Sequence, residues 1–118
     1  MKEIMNPQNI LEKLDSCVIA LNKGNYNMKT LGLEKAKTER DYRVKQAQMI
    51  LKLKAEGYPA TLIMELVKGN EEVAELRLKR DIAESSYYVG IQAMENLRLE
   101  IEILRSKLTW MRTELKNS

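Results

Sequence analysis

From Val73 onward, apolar residues recur by alternating steps of three and four, through Leu76, Arg80, Ala83, Tyr87, Gly90, Met94, Leu97, Ile101, Leu104, Leu108 and Met111 to Leu115. Eleven of these thirteen positions are apolar, where a chain that is 44% hydrophobic would supply about six. A 3.5-residue repeat held this long describes a helix whose apolar seam packs on another helix with left-handed supercoiling. The positions flanking the seam are mostly charged, among them Arg77, Lys79, Glu84, Arg98, Glu100 and Glu114. Asn70 precedes the repeat as a cap, and Glu71 and Glu72 stand where the helix dipole favours negative charge. One long helix over 71–115 is therefore expected.

Two seam positions break the pattern. Arg80 requires a carboxylate or a route to water, and a polar seam residue of this kind fixes register at some cost in stability. Gly90 inserts no side chain and lets a neighbouring helix approach closely.

The rest of the chain also reads as helix. Asn6-Pro7 is a cap followed by proline at the first helical position, and Ile10, Leu11, Leu14, Cys17, Val18 and Leu21 follow at helical spacing. Lys23-Gly24-Asn25 predicts a break or kink, after which a second helix runs over 28–55. Glu56-Gly57-Tyr58-Pro59 ends it, with Gly57 as left-handed cap, and Pro59 opens a short helix over 60–67 that Gly69 closes. With two prolines, five glycines and no phenylalanine, the chain has few residues that favour strands or turns. The expected fold is all-α in a single domain over 1–118. It is a long-helix antiparallel hairpin (coiled coil) with an additional N-terminal helix over 7–22 and a short connecting helix.

A long helix of about 67 Å outreaches a second helix of about 42 Å, at 1.5 Å per residue. A short connection favours antiparallel neighbours. Reversal midway through the short helix would make residue numbers that face each other add to about 127, within one turn. Leu51 would then meet Leu76, Val44 would meet Ala83, and Leu33 would meet Met94. The N-terminal helix, continuing past Gly24, would lie along 104–115; the alternatives are that it folds back or swaps onto another chain.

The far side of the long helix carries a second apolar stripe: Leu78, Ile82, Val89, Leu99, Ile103 and Trp110. A two-helix hairpin buries one side of each helix, so this stripe needs another cover. The short helix could shield the end near Leu78 and Ile82 but cannot reach Trp110. A homo-oligomer, dimer or higher, is the simplest completion.

Chemistry is constrained by what is missing. The chain has no histidine and a single cysteine, which removes the commonest general base and the usual zinc ligands. Its glycines lie too far apart for a phosphate-cradling loop. Carboxylate pairs such as Glu71/Glu72 and Asp81/Glu84 are explained by helix starts and surface pairing. The expectation is a protein that is not an enzyme, with no catalytic residues, no cofactor and no metal. Cys17, on an apolar face, reads as a small buried hydrophobe. The longest apolar run, 17–21, is far below the roughly 20 residues of a membrane span, and 1–9 lacks a secretory pattern, so no membrane partner and a cytoplasmic location are expected.

The 20 basic and 17 acidic residues are interspersed, giving a net charge of +3. The basic residues of the second helix, Lys35, Lys37, Arg40, Arg43 and Lys45, form the candidate nucleic-acid contact, with acids among them and few aromatics to stack bases. Trp110, flanked on adjoining turns by Arg105 and Arg112, has the composition of a protein-binding anchor.

The ending Arg105-Ser106-Lys107-Leu108-Thr109-Trp110-Met111-Arg112-Thr113-Glu114-Leu115, after a long charged helix, resembles the small helical coiled-coil proteins of phage and prophage early gene clusters. Those clusters hold replication, recombination and host-takeover genes. The resemblance covers mainly 71–115, and the lysine-, asparagine- and methionine-rich usage suits a low-GC Gram-positive host. It implies a phage setting and a neighbourhood of DNA metabolism or anti-defence, and it assigns no active residue. The expected function is an interaction protein, an accessory or inhibitor that binds a DNA-processing or host-defence protein in the bacterial cytoplasm. The alternatives are a recombination or replication accessory that binds DNA weakly through the second helix, and a structural phage component.

Overall fold

A computed structural model describes residues 6–117. Three helices account for nearly all of them: α1 (Pro7–Ala55), α2 (Ala60–Gly69) and α3 (Glu71–Asn117), and there is no strand among the described residues. The chain is an all-α, long-helix hairpin with a short connecting helix.

The ends follow the expected chemistry. Asn6 accepts from the Asn9 amide at 2.9 Å through its side chain, and Asn70 accepts likewise from Val73 at 3.1 Å, each satisfying an orphan donor of the first turn. Gly57, at φ +87°, closes α1: the Tyr58 amide donates to the Leu53 carbonyl and the Gly57 amide to that of Lys54, the paired bonds of a left-handed helix stop. Pro59 stays extended at ψ 148° and accepts the first amides of α2.

The expected break at 23–25 does not occur. The N-terminal and second helices are one, because a glycine costs a helix only about 1 kcal/mol and burial along the seam outweighs that. Gly24 is a seam residue. A Cβ there would collide with the Met94 sulfur, so its missing side chain is the space that Met94 fills. Sequence reading expected this kind of close approach at Gly90.

The chain divides into two compact units. One takes the described residues up to Met28 with those from Gly90 onward. Its core is Ile10, Cys17 and Leu104, with Leu14, Ile101, Leu108 and Met111 packed against them. The start of α1 thus lies along 104–111 of α3, as expected. The other unit is Lys29–Val89, centred on Tyr42, Leu53, Ile63, Val67 and Val73, with Met49, Ile50 and Leu76 around them. Here α2 inserts Ile63 and Val67 between the long helices.

Every seam position of α3 is buried or half-buried except Leu115, which is 69% exposed. The partners differ from expectation. In the second unit Lys45 pairs with Glu72, Tyr42 lies under Arg80, and Lys35 lies over Tyr87. In the first, Gly24 meets Met94 and Cys17 meets Glu100. These pairs add to between 117 and 122, not 127. The facing pairs Leu51–Leu76, Val44–Ala83 and Leu33–Met94 are therefore wrong; Leu51, Val44 and Leu33 point outward. A heptad pattern matches itself after a slip of one heptad, so it cannot choose between registers that far apart. In the observed register α2 packs against Leu53 and Val73 instead of sitting midway in the reversal, and Arg80 and Lys45 find their partners across the seam.

Candidate interaction surface

Arg80 is the polar residue of the seam, with its side chain 21% exposed. Its guanidinium lies 4.3 Å from the centre of the Tyr42 ring, 3.0 Å from Asp81 and 3.6 Å from Glu39. Burial pulls its pKa down, but the hydrogen bond and charge of Asp81, with the charge of Glu39, outweigh that and hold it above the ordinary value. The required carboxylates are present, and the stacked ring completes a site that suits a planar cation. Nearby, buried Thr38 turns its hydroxyl back on its own helix, donating to the Glu34 carbonyl at 2.8 Å.

The candidate nucleic-acid residues are largely engaged within the chain. Lys45 bonds Glu72, whose carboxyl is held below its ordinary value by that hydrogen bond first and by the lysine charges after it. Arg43 bonds Glu39 at 2.8 Å, and Arg40 bonds Asp41 at 3.0 Å. Lys35 lies 5.7 Å from the centre of the Tyr87 ring. Lys37 is exposed and shares its side of α1 with Arg40 alone among the five. The five do not converge on one basic face.

The far side of α3 is uncovered. In the Lys29–Val89 unit this concerns Leu78, Ile82 and Val89, and in the other unit Leu99, Ile103 and Trp110; all six are 47–66% exposed. The expected shielding of Leu78 and Ile82 by α2 fails, because α2 spends its apolar face on Tyr42, Leu53 and Val73. Trp110 borders an open depression whose walls all come from α3: Glu102, Arg105, Ser106, Thr109 and Thr113. Arg105 thus shares a surface with Trp110, while Arg112 does not line it.

A second outward set was missed in the sequence. On α1, Leu11, Val18, Ile19 and Tyr26 in one unit are exposed, and so are Leu33, Val44 and Leu51 in the other. In the sequence Leu11 and Val18 fall into one helical spacing with Ile10 and Cys17. The signal was present: 11, 18, 26, 33, 44 and 51 return to one side of a 3.6-residue helix, opposite the seam. Such exposed apolar residues in a row mark interaction surfaces in soluble proteins.

Cys17 is buried as expected. Burial raises its thiol pKa first, and the charge of Glu100 and a hydrogen bond to it raise it further, so it stays a protonated hydrophobe at neutral pH. Among the described residues no cluster of acidic or sulfur side chains is placed to hold a metal ion, and no helix is long and apolar enough to cross a membrane. Compared with protein-family models, curated proteins and solved structures, the chain finds no match.

Proposed function

We propose that this chain is a non-enzymatic interaction protein that assembles with copies of itself and engages a second protein. In the phage setting that its ending resembles, it would act as an accessory or inhibitor on a DNA-processing or host-defence protein in the bacterial cytoplasm. One observation carries the reading: Leu78, Ile82, Val89, Leu99, Ile103 and Trp110 remain exposed after the chain has closed its own seam. Apolar side chains at regular spacing, left over from a completed fold, are the raw material of a protein interface. Trp110 beside Arg105 supplies the aromatic and cationic pair that dominates binding hot spots.

Direct DNA binding through the second half of α1 is the weaker reading. Phosphate contacts must supply its affinity, and Lys35, Arg40, Arg43 and Lys45 would each give up an internal partner to make them. Nothing in the geometry favours a structural phage component over an accessory.

Light scattering at micromolar concentration tests the reading. The wild type is expected to be a dimer or larger, and Ile103→Glu with Trp110→Glu to shift it toward monomer while the helical circular-dichroism signal stays. A monomeric wild type at that concentration would refute it.

A further inference from the structure

The two uncovered faces of the Lys29–Val89 unit differ in charge. On α1, Leu33, Val44 and Leu51 share about a third of the helix circumference with Lys29, Lys37, Arg40 and Lys54. No carboxylate falls on that arc; Asp41, at its edge, is bound to Arg40. On α3, Leu78, Ile82 and Val89 share a similar arc with Glu71, Glu75 and Asp81, and no basic residue falls there. Apart from half-buried Asp41, all of these side chains are exposed. Each face lies opposite its helix's seam, so neither is used in closing the hairpin.

We propose that the occupant of each face is the other face of a second copy: the basic α1 face of one chain docks on the acidic α3 face of the next. This rests on the self-assembly proposed above and specifies its geometry. Pairing like with like would set four cations against four, or a row of carboxylates against itself. Pairing unlike faces sets leucine, isoleucine and valine together with opposite charges along both rims. Because the two faces are different patches, the contact is heterologous. Every docked chain still offers one free face of each kind, and growth continues past a dimer unless it closes into a ring.

Charge reversal tests this with the full-length chain. Lys29→Glu with Lys37→Glu and Arg40→Glu makes both faces acidic, and Glu71→Lys with Glu75→Lys makes both basic. Each variant should assemble at least tenfold more weakly than wild type in sedimentation equilibrium. The chain carrying all five substitutions, and an equimolar mixture of the triple and the double variant, should recover assembly. The recovering chain shows that loss in the two separate variants is not misfolding. Wild-type mass should rise with concentration beyond that of a dimer. Assembly that stops at a dimer, or that ignores the α1 reversal, overturns the proposal and leaves self-assembly through α3 alone standing. Loss of binding to duplex DNA or to anionic vesicles on α1 reversal, with assembly unchanged, would assign the basic face to that other occupant and overturn it as well. A monomeric wild type would remove the self-assembly on which both depend.

Discussion

In the unit around Ile10, Cys17 and Leu104, two helices meet through a row of aliphatic and sulfur-bearing side chains; in the unit around Tyr42, a third helix enters and charged side chains line the seam. The first seam is held by shape, with Gly24 receiving Met94. The second is held by shape at one end, where Ile63 and Val67 fill the gap, and by pairing elsewhere, where Arg80 lies on Tyr42 and Lys45 reaches Glu72. Apolar contact supplies most of the stability of a coiled coil but forgives a slip along the axis, whereas a buried cation with one set of partners does not. The comparison therefore separates two tasks, holding the helices together and choosing their alignment, and gives them to different residues.

The shape-held seam should show the larger stability effects. Met94→Ala removes a buried side chain and is expected to cost about 2–5 kcal/mol in urea denaturation. Gly24→Ala sharpens the point. Alanine should favour the helix by about 1 kcal/mol, but its Cβ enters the space of the Met94 sulfur. The gain should be absent in the wild-type background and appear in the Met94→Ala background. Equal effects in both backgrounds would mean that the two residues are not fitted to each other.

The pairing-held seam should behave in the opposite way. Arg80→Leu completes the apolar repeat, and stability should hold or rise by about 1 kcal/mol, since well-packed leucine replaces a partly buried cation. Alignment should suffer instead, visible as more than one set of amide NMR signals within 29–89. A single set together with a large loss of stability would mean that Arg80 is a source of stability and not of register.

This division explains what the sequence disclosed. The seam of α3 was legible residue by residue because a heptad repeat is a local property. The caps at Asn6, Gly57 and Asn70 were legible for the same reason. The register was not, since it depends on which heptad of α1 meets which heptad of α3. The sequence showed Arg80 in need of a carboxylate, and only the fold identifies Glu39 and Asp81 as the ones within reach. Gly24 misled because a glycine that ends a helix and a glycine that admits a neighbour are the same letter. Of the candidate surface, the α3 stripe was readable as the residue left over from a regular seam. The α1 stripe was masked because Leu11 and Val18 adjoin true core positions, Ile10 and Cys17, in the chain.

Everything said of the outer faces rests on α1 and α3 of the same chain closing on each other in this register. Cys17 offers the most direct test, because it is buried against Glu100 and is the chain's single cysteine. Glu100→Cys should form a disulfide with Cys17 within one chain under mild oxidation, read as a faster-migrating monomer on non-reducing electrophoresis, while Trp110→Cys should not. A disulfide in the Trp110→Cys chain, or one in Glu100→Cys that forms only between chains, would contradict the account.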